Sequence, residues 1–436
     1  MPQDVKNDEG GLVELWIPYG DVEVSVRVSE ENLAWLADPG RAEQKDASEV
    51  VRAALSTPLG SQALGDLVKS GSRVAIAVDG LRGRFPMASA LLPLLNELCA
   101  AGASAGDIDV IVATGDNPVG KIDELSSALK VGEVIVNDQR EGDFVDVGTT
   151  SFGTKVQINR SYNEADLKIT VSVLSVDWLY GFRGGPSCIV PGMCSASTTS
   201  HNSRLALQKD ANIGPARLEG NPVHLSSKES AVMAGVQLSL IVLPDREGNV
   251  HAAFSGPPDA VFERSVGIAS KLYLHDAPEE VDILVVGAGG RPFDSSLIEA
   301  CNAVFNAEET VSEEGRVVIV AECEEGPGDS GFFNFLSRLK DSKAALGEVR
   351  RDFSLEAYKA MKLLRLREGH GISLVSAMPV HFAEKMHLRT ADTANEGLQN
   401  AFRFLGRESR IGVVVDGSSV APRLTGNTIQ AFKTRI

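Results

Sequence analysis

The residues best suited to chemistry fall in a few short segments. Asp79 and Arg82 place a carboxylate and a guanidinium three positions apart. A guanidinium offers parallel donors and stays charged at every relevant pH, so Arg82 reads as an anchor for a substrate carboxylate or phosphate, or as a salt-bridge partner of Asp79. Thr114, Asp116 and Asn117 put a hydroxyl, a carboxylate and an amide into one tight turn. That set suits both the orientation of a hydroxylated substrate and simple turn formation. Asp177 follows an apolar run, and desolvation there would make it a general base or a cation holder, the alternative being a loop cap. His201 and Asn202 read either as metal-binding groups or as caps of a helix whose body begins near Ser203-Arg204-Leu205.

Between Asp177 and His201 lies a segment rich in glycine and proline. Gly181, Gly184, Gly185 and Gly192 permit close backbone approach to a ligand, and Pro186 and Pro191 stiffen the connection. His224 sits in the turn signal Gly220-Asn221-Pro222. The other histidines show no HxxxH or HxH spacing, so no dedicated histidine metal motif is present. Gly287-Ala288-Gly289-Gly290 is not a dinucleotide fingerprint, because Pro292 follows where a helix turn should carry the third glycine. A GxxxxGK[ST] loop and a GxSxG elbow are both lacking.

Short apolar runs alternating with helical stretches must position these groups. Strands are predicted at 73–78, 109–113, 132–136, 155–158, 167–173, 237–243, 282–287, 316–321, 373–376 and 410–415. Helices are predicted at 88–100, 121–130, 295–304, 331–340 and 354–366. A β-hairpin is predicted over residues 12–28 around Tyr19-Gly20-Asp21. This βαβ rhythm gives an α/β fold with parallel strands covered by helices. Ligand sites in such sheets lie beyond the carboxyl ends of the strands, where the segments after Val78, Ala113, Val173 and Val286 fall.

The length of 436 residues implies two domains, assigned as 1–265 and 266–436. Their boundary is expected in the interval 255–280, around Ser255-Gly256-Pro257-Pro258, with a return crossing of the chain left open. Against 42 basic residues stand 59 acidic ones, a formal charge of −17, which disfavours nucleic-acid and anionic-membrane partners. No apolar run reaches the roughly 18 residues of a spanning helix, and the acidic N-terminus is unlike a signal peptide, so the cytoplasm is expected. The cysteines at 99, 188, 194, 301 and 323 lack CxxC spacing and read mostly as small core residues.

The ordered set Asp79-x-x-Arg82, Ala113-Thr114-Gly115, Gly181-Phe182-x-Gly184-Gly185, Pro191-Gly192, Gly220-Asn221-Pro222 and Gly289-Gly290-x-Pro292-x-Asp294 resembles the lactate racemase family. The resemblance runs from the N-terminal hairpin to the C-terminal strands. It implies two α/β domains with parallel and mixed sheets and the site between them. It also implies a nickel-pincer nucleotide, derived from nicotinic acid, that takes a hydride from the substrate α-carbon and returns it to either face. Gly184, Gly185, Ser187 and His201 would then line the cofactor position.

This chain departs from the family pattern at its chemistry. Ser187 stands where a lysine tethers the cofactor. Asn117 and Asp177 replace the two acid/base histidines, and Ser203 falls at the nickel-ligating histidine with His201 two residues away. A glutamine and a lysine that contact substrate correspond to Glu299 and Asn302.

Two accounts follow from the resemblance. Either His201 reaches inward to serve an untethered pincer, with Asp177 managing the hydroxyl proton, or the fold is reused without nickel. In the second account, which we favour, Asp177 and Glu299, with Asp116 nearby, bind magnesium or manganese through oxygen. The expected activity is that of an isomerase, a racemase or epimerase acting on a small anionic hydroxy acid or sugar acid. A non-catalytic ligand-binding homologue is the alternative of a different class. The sequence carries no signal for an oligomeric state.

Overall fold

The computed structural model describes residues 6–8, 11–60, 64–79, 83–113 and 122–425. Two compact units result: one comprises residues 41–270, the other residues 1–40 together with 271–436. The boundary at 270/271 falls inside the expected interval. The first 40 residues, however, belong with the C-terminal unit and not with a 1–265 domain. The cause is a strand that the hydrophobic pattern left unassigned, Leu33–Ala37, which pairs in parallel with Ile411–Val414.

The 41–270 unit is built on a six-stranded sheet. Its order is Val250–Gly256, Leu238–Pro244, Leu167–Val173, Val74–Val78, Ile108–Val112 and Glu133–Val136. All neighbours are parallel except the edge pair Leu238–Pro244 with Val250–Gly256. From Val74–Val78 the chain adds two strands on one side, then returns to add Leu167–Val173 on the other. The order therefore reverses between Val74–Val78 and Leu167–Val173, and a crevice at the carboxyl ends of these two strands is the expected ligand position.

The alternation within Val74-Ala75-Ile76-Ala77-Val78 explains how the two faces differ. Val74, Ile76 and Val78 join Leu91, Leu94 and Leu98 of the helix Ala88–Ala100 in a large apolar core. On the other face the small Ala75 and Ala77 leave room for Cys188, Ile189, Val190, Met193 and Cys194, which pack there with Ala231 and Ala234. The glycine-rich segment is thus drawn under the sheet as part of a core.

The second unit repeats the plan. Its sheet runs Arg389–Ala391, Gly371–Val375, Val311–Val320, Val281–Gly287, Ile411–Val414 and Leu33–Ala37, all parallel. The strand order reverses between Val281–Gly287 and Ile411–Val414. The hairpin Leu12–Tyr19/Val22–Ser29 and the helix Ala394–Leu405 share one apolar core with this sheet, through Ile17, Val26, Leu398, Val285 and Val413. The helices Leu297–Ala307 and Leu355–Gly369 pack against each other and against the strands Val281–Gly287 and Gly371–Val375 respectively. Among the described residues no helix is long and apolar enough to cross a membrane.

Candidate functional site

At the reversal point of the 41–270 unit, Asp79 follows the central strand, and its N–H donates to the Val171 carbonyl at 2.9 Å. Leu167–Val173 leads directly into the glycine-rich segment. Arg82, Thr114, Asp116 and Asn117 lie outside the described residues.

Asp177 is buried, and its carboxylate is fully engaged in holding the turn. Oδ1 accepts the N–H groups of Leu179 at 2.8 Å and Tyr180 at 2.7 Å, and Oδ2 accepts Arg183 Nε at 2.8 Å. The Arg183 guanidinium lies over the Tyr180 ring, 5.2 Å from its centre. These contacts are those of a loop cap, the alternative weighed against a general base or cation holder. Three donors crowd the oxygens that a metal ion or a substrate proton would have to reach.

The glycines are explained by the protein packing on itself. A Cβ on Gly192 would stand 2.2 Å from the Cys188 carbonyl oxygen, and one on Gly181 would stand 2.5 Å from that of Arg217. Gly184 adopts φ 102°, and a Cβ there would meet the Val173 carbonyl at 2.7 Å. A Cβ on Gly185 would meet the Phe262 ring at the same distance. Polar strand residues that the sequence did not single out complete the loop's support. Ser172 Oγ accepts the Gly185 N–H at 2.9 Å, and the hydroxyls of Thr170 and Ser239 share a buried hydrogen bond of 2.7 Å. Their signal was a run of hydroxyl residues on one face of otherwise apolar strands. Asn221 adds a further tie: its side chain caps the helix Pro222–Ala234 and donates to the Leu179 carbonyl at 2.9 Å.

Ser187, at the position of the family's tethering lysine, is buried and turned back on the loop, its Oγ accepting the Gly184 N–H at 2.8 Å. The helix that follows spans Ala196–Arg204 and is capped by Ser195, so it ends where the sequence reading began it. His201 and Asn202 accordingly lie inside the helix and do not cap its start. His201 is exposed, whereas Asn202 and Ser203 are fully buried. Positions 201 and 203 are about 200° apart around a helix axis, which is why one cannot stand in for the other. Ser203 Oγ and Asn202 Oδ1 are buried without a hydrogen-bond partner. Neither oxygen replaces an imidazole nitrogen on nickel.

A lysine-tethered nickel pincer therefore does not fit the residues present: the tether position is a serine bound to its own loop, and the histidine two residues from the nickel-ligand position is exposed. Asp116, one of the three oxygen ligands of the magnesium or manganese alternative, lies outside the described residues. Among the described residues, no group of three or more His, Cys, Asp or Glu side chains is placed to hold a metal ion. Cys188 and Cys194 are structural. Burial pushes the Cys188 thiol well above its ordinary range and the Cys194 thiol up to about 12.

His224 is buried and stacked on Phe262, with ring centres 5.4 Å apart. Burial, with Lys228 adding to it, lowers its pKa from 6.5 to about 4. The unfolded chain thus takes up a proton before the folded one does. Stability is unaffected above pH 6.5, declines as pH falls from 6.5 to about 4, and levels off below. The shift corresponds to about 3 kcal/mol, so urea unfolding at about pH 7.5 and about pH 4.5 should show a decline that His224→Leu partly removes. His275 and His370, also lowered by burial, supply a residual slope in the other unit.

In the 1–40/271–436 unit, Gly287 to Asp294 occupies the corresponding reversal point. A Cβ on Gly287 would overlap the Val415 carbonyl, and Gly289, at φ 105°, leaves space for Asp416 and Ser418. Asp294 is buried, and its Oδ2 accepts the N–H groups of Gly20 at 2.7 Å and Glu322 at 3.1 Å. It thereby fastens the hairpin turn to the sheet. Burial raises the pKa of Asp294, against the lowering effect of these two N–H groups. Glu299 and Asn302 lie one turn apart on the helix Leu297–Ala307, with Asn302 Nδ2 donating to Glu299 Oε2 at 3.2 Å.

Two open, largely parallel sheets, each with a glycine-rich turn and a buried or half-buried aspartate where the strand order reverses, define a two-unit doubly wound α/β protein. Matches to the lactate racemase N-terminal domain over residues 19–214 and to the C-terminal domain over residues 277–421 show that this chain belongs to the lactate racemase family. It is 25% identical over 428 residues to a lactate racemase of Thermoanaerobacterium thermosaccharolyticum, covering 94% of this chain and 100% of that one. A lactate racemase of Lactiplantibacillus plantarum is 26% identical, with coverage of 94% and 99%. The fold matches the lactate racemase apoprotein from T. thermosaccharolyticum with a TM-score of 0.85 at 24% identity, over 94% of this chain and 100% of that one. A crystal structure of a Thermotoga maritima protein matches with a TM-score of 0.65 at 14% identity, over 88% and 100%.

Proposed function

We propose that this chain is a cytoplasmic isomerase that inverts a carbon bearing hydrogen and hydroxyl in a small hydroxylated carboxylate, a hydroxy acid or sugar acid, without a lysine-tethered nickel pincer. The observation that carries this reading is the engagement of Ser187 by the Gly184 N–H inside a glycine frame that is otherwise intact. The frame is that of a racemase family, and the one position that would bond the cofactor covalently is spent on the loop. Asp79 and Arg82 retain the family's acidic and basic pair, which supports recognition of an anionic substrate.

Inversion requires the α-hydrogen to leave one face and return to the other while the hydroxyl proton is managed. Asp177, held by three donors, does not manage it. An amide such as Asn117 cannot exchange a proton near neutral pH, which leaves Asp116 as the titratable group among residues 114–117. The Asp177–Arg183 pair acts as a positioning element that keeps the turn in place.

The test uses protein purified from its native host. Single stereoisomers of lactate and of C2-epimeric sugar acids are incubated with it and followed by chiral chromatography, and the intact mass of the denatured chain is measured on the same preparation. Interconversion of a substrate by a chain of unmodified mass is the expected result. Stoichiometric binding with no interconversion under any metal supplement would establish the non-catalytic homologue instead.

A further inference from the structure

Phe262 lies in the second turn of the helix Pro258–Leu272, is only 4% exposed, and turns its ring onto the glycine-rich segment. A Cβ on Gly185 would stand 2.7 Å from Phe262 Cδ2 and 3.3 Å from Ile241 Cδ1, so ring and strand together wall in Gly185. The buried His224 ring stacks on that of Phe262, with 5.4 Å between centres and 21° between planes. One turn away along each helix, Lys228 Nζ lies 3.3 Å from Asp259 Oδ1, a second contact between the helices Pro222–Ala234 and Pro258–Leu272. The second of these helices carries the chain out of the 41–270 unit.

The turn needs a wall of this kind. Gly184 and Gly185 adopt φ 102° and 57°, and glycine loses more conformational freedom on ordering than any other residue. Two hydrogen bonds hold the turn, from Gly184 N–H to Ser187 Oγ at 2.8 Å and from Gly185 N–H to Ser172 Oγ at 2.9 Å. Ser187 belongs to the turn itself, so of these two only the Ser172 bond ties it to the sheet. The Phe262 ring fills the space into which Gly185 would otherwise shift, and His224 in turn backs the ring. A side chain that merely fills volume can be trimmed at a cost in stability alone, whereas one that places a reacting loop also changes the rate.

We infer that Phe262, backed by His224, is a positioning residue of the glycine turn: its ring sets the place of Gly185, and turnover depends on it through Gly185 and not through contact with the substrate. The inference rests on the proposed isomerase reading. Displacement of a reacting group by about 1 Å costs up to about a hundredfold in rate, while the Asp79 and Arg82 pair that supports anion recognition lies on a different segment. The loss therefore falls on kcat and leaves KM nearly unchanged.

The test compares the full chain with Phe262→Leu, His224→Phe, Gly185→Ala and the double variant Gly185→Ala/Phe262→Ala. Turnover is followed on whichever single stereoisomer of lactate or of a C2-epimeric sugar acid the parent interconverts, and thermal melting gives the folded fraction. Phe262→Leu should lower kcat by about tenfold with KM within about twofold of the parent, and His224→Phe, which keeps the stack, should retain turnover. Gly185→Ala should lose about a hundredfold, of which the added Phe262→Ala recovers at least about tenfold by making room. Turnover of Phe262→Leu that falls only with the folded fraction overturns the inference, as do additive losses in the double variant. Hydrogen exchange on the same proteins needs no substrate. The peptide containing Gly185 should exchange at least about tenfold faster in Phe262→Leu while the strand Leu167–Val173 keeps its parental protection, and equal exchange of that peptide in both proteins also overturns the inference. A parent that interconverts no acid defeats the isomerase reading, and the exchange result then decides by itself whether Phe262 places the turn.

Discussion

Asp177→Ala is expected to destabilise the 41–270 unit by about 3–5 kcal/mol, the range seen when one partner of a buried ion pair is removed. The substitution strands the buried N–H groups of Leu179 and Tyr180 and leaves Arg183, 19% exposed, without its carboxylate. Asp177→Asn is milder. Its oxygen can still accept both N–H groups, but its amide faces the guanidinium with donors, and a loss of about 1–3 kcal/mol follows. Trp178 is the neighbouring residue and the one tryptophan of the unit, so its fluorescence in a Trp16→Phe/Trp35→Phe background reports the unfolding. The two roles of Asp177 separate cleanly. A positioning aspartate predicts that Asp177→Asn keeps turnover wherever it remains folded, whereas a general base would lose turnover with the fold intact.

Gly192→Ala carries the second large effect. The added Cβ would stand 2.2 Å from the Cys188 carbonyl oxygen and 2.8 Å from the Ala113 Cβ, both in rigid surroundings. Relief requires the segment Cys188–Cys194 to leave the face of the sheet, and with it goes an apolar cluster that includes Ala77, Ile158 and Tyr162. The expected loss exceeds about 3 kcal/mol, the upper end for overpacking, or soluble protein is not obtained. Gly267→Ala is the control. It lies within the helix Pro258–Leu272 with nothing near its Cβ position, and alanine there should stabilise by about 0.5–1 kcal/mol through helix propensity. Denaturant unfolding of the pair distinguishes a steric requirement at residue 192 from a general sensitivity of the unit to lost glycine.

Most of the architecture is legible in the sequence because buried parallel strands write themselves as continuous apolar runs. Val74–Val78, Leu167–Val173 and Val281–Gly287 fall where the pattern predicts them. What the pattern misses is non-local. Leu33–Ala37 has the composition of many short segments, and only its pairing with Ile411–Val414, contributed from the far end of the chain, makes it a strand and assigns the first 40 residues to the C-terminal unit.

At the site, the position of the glycine frame was legible and the reason for it was not. Glycines that avoid a ligand and glycines that avoid a carbonyl of the same protein leave the same letters. Asp177 was ambiguous for a similar reason, since the residues that engage it include an arginine six positions later whose direction no spacing rule gives. The direction of His201 was within reach. Ser195 signals a helix start, and from there the period of 3.6 residues puts 201 and 203 on different faces.

The central claim is that the lactate-racemase frame persists here with its covalent tether replaced by a loop contact at Ser187. The intact mass of the denatured chain, taken on a native-host preparation that interconverts a hydroxylated acid, tests it most directly. The account predicts the mass of the unmodified polypeptide alongside full turnover. A covalent adduct of nucleotide size on the active chain would contradict it.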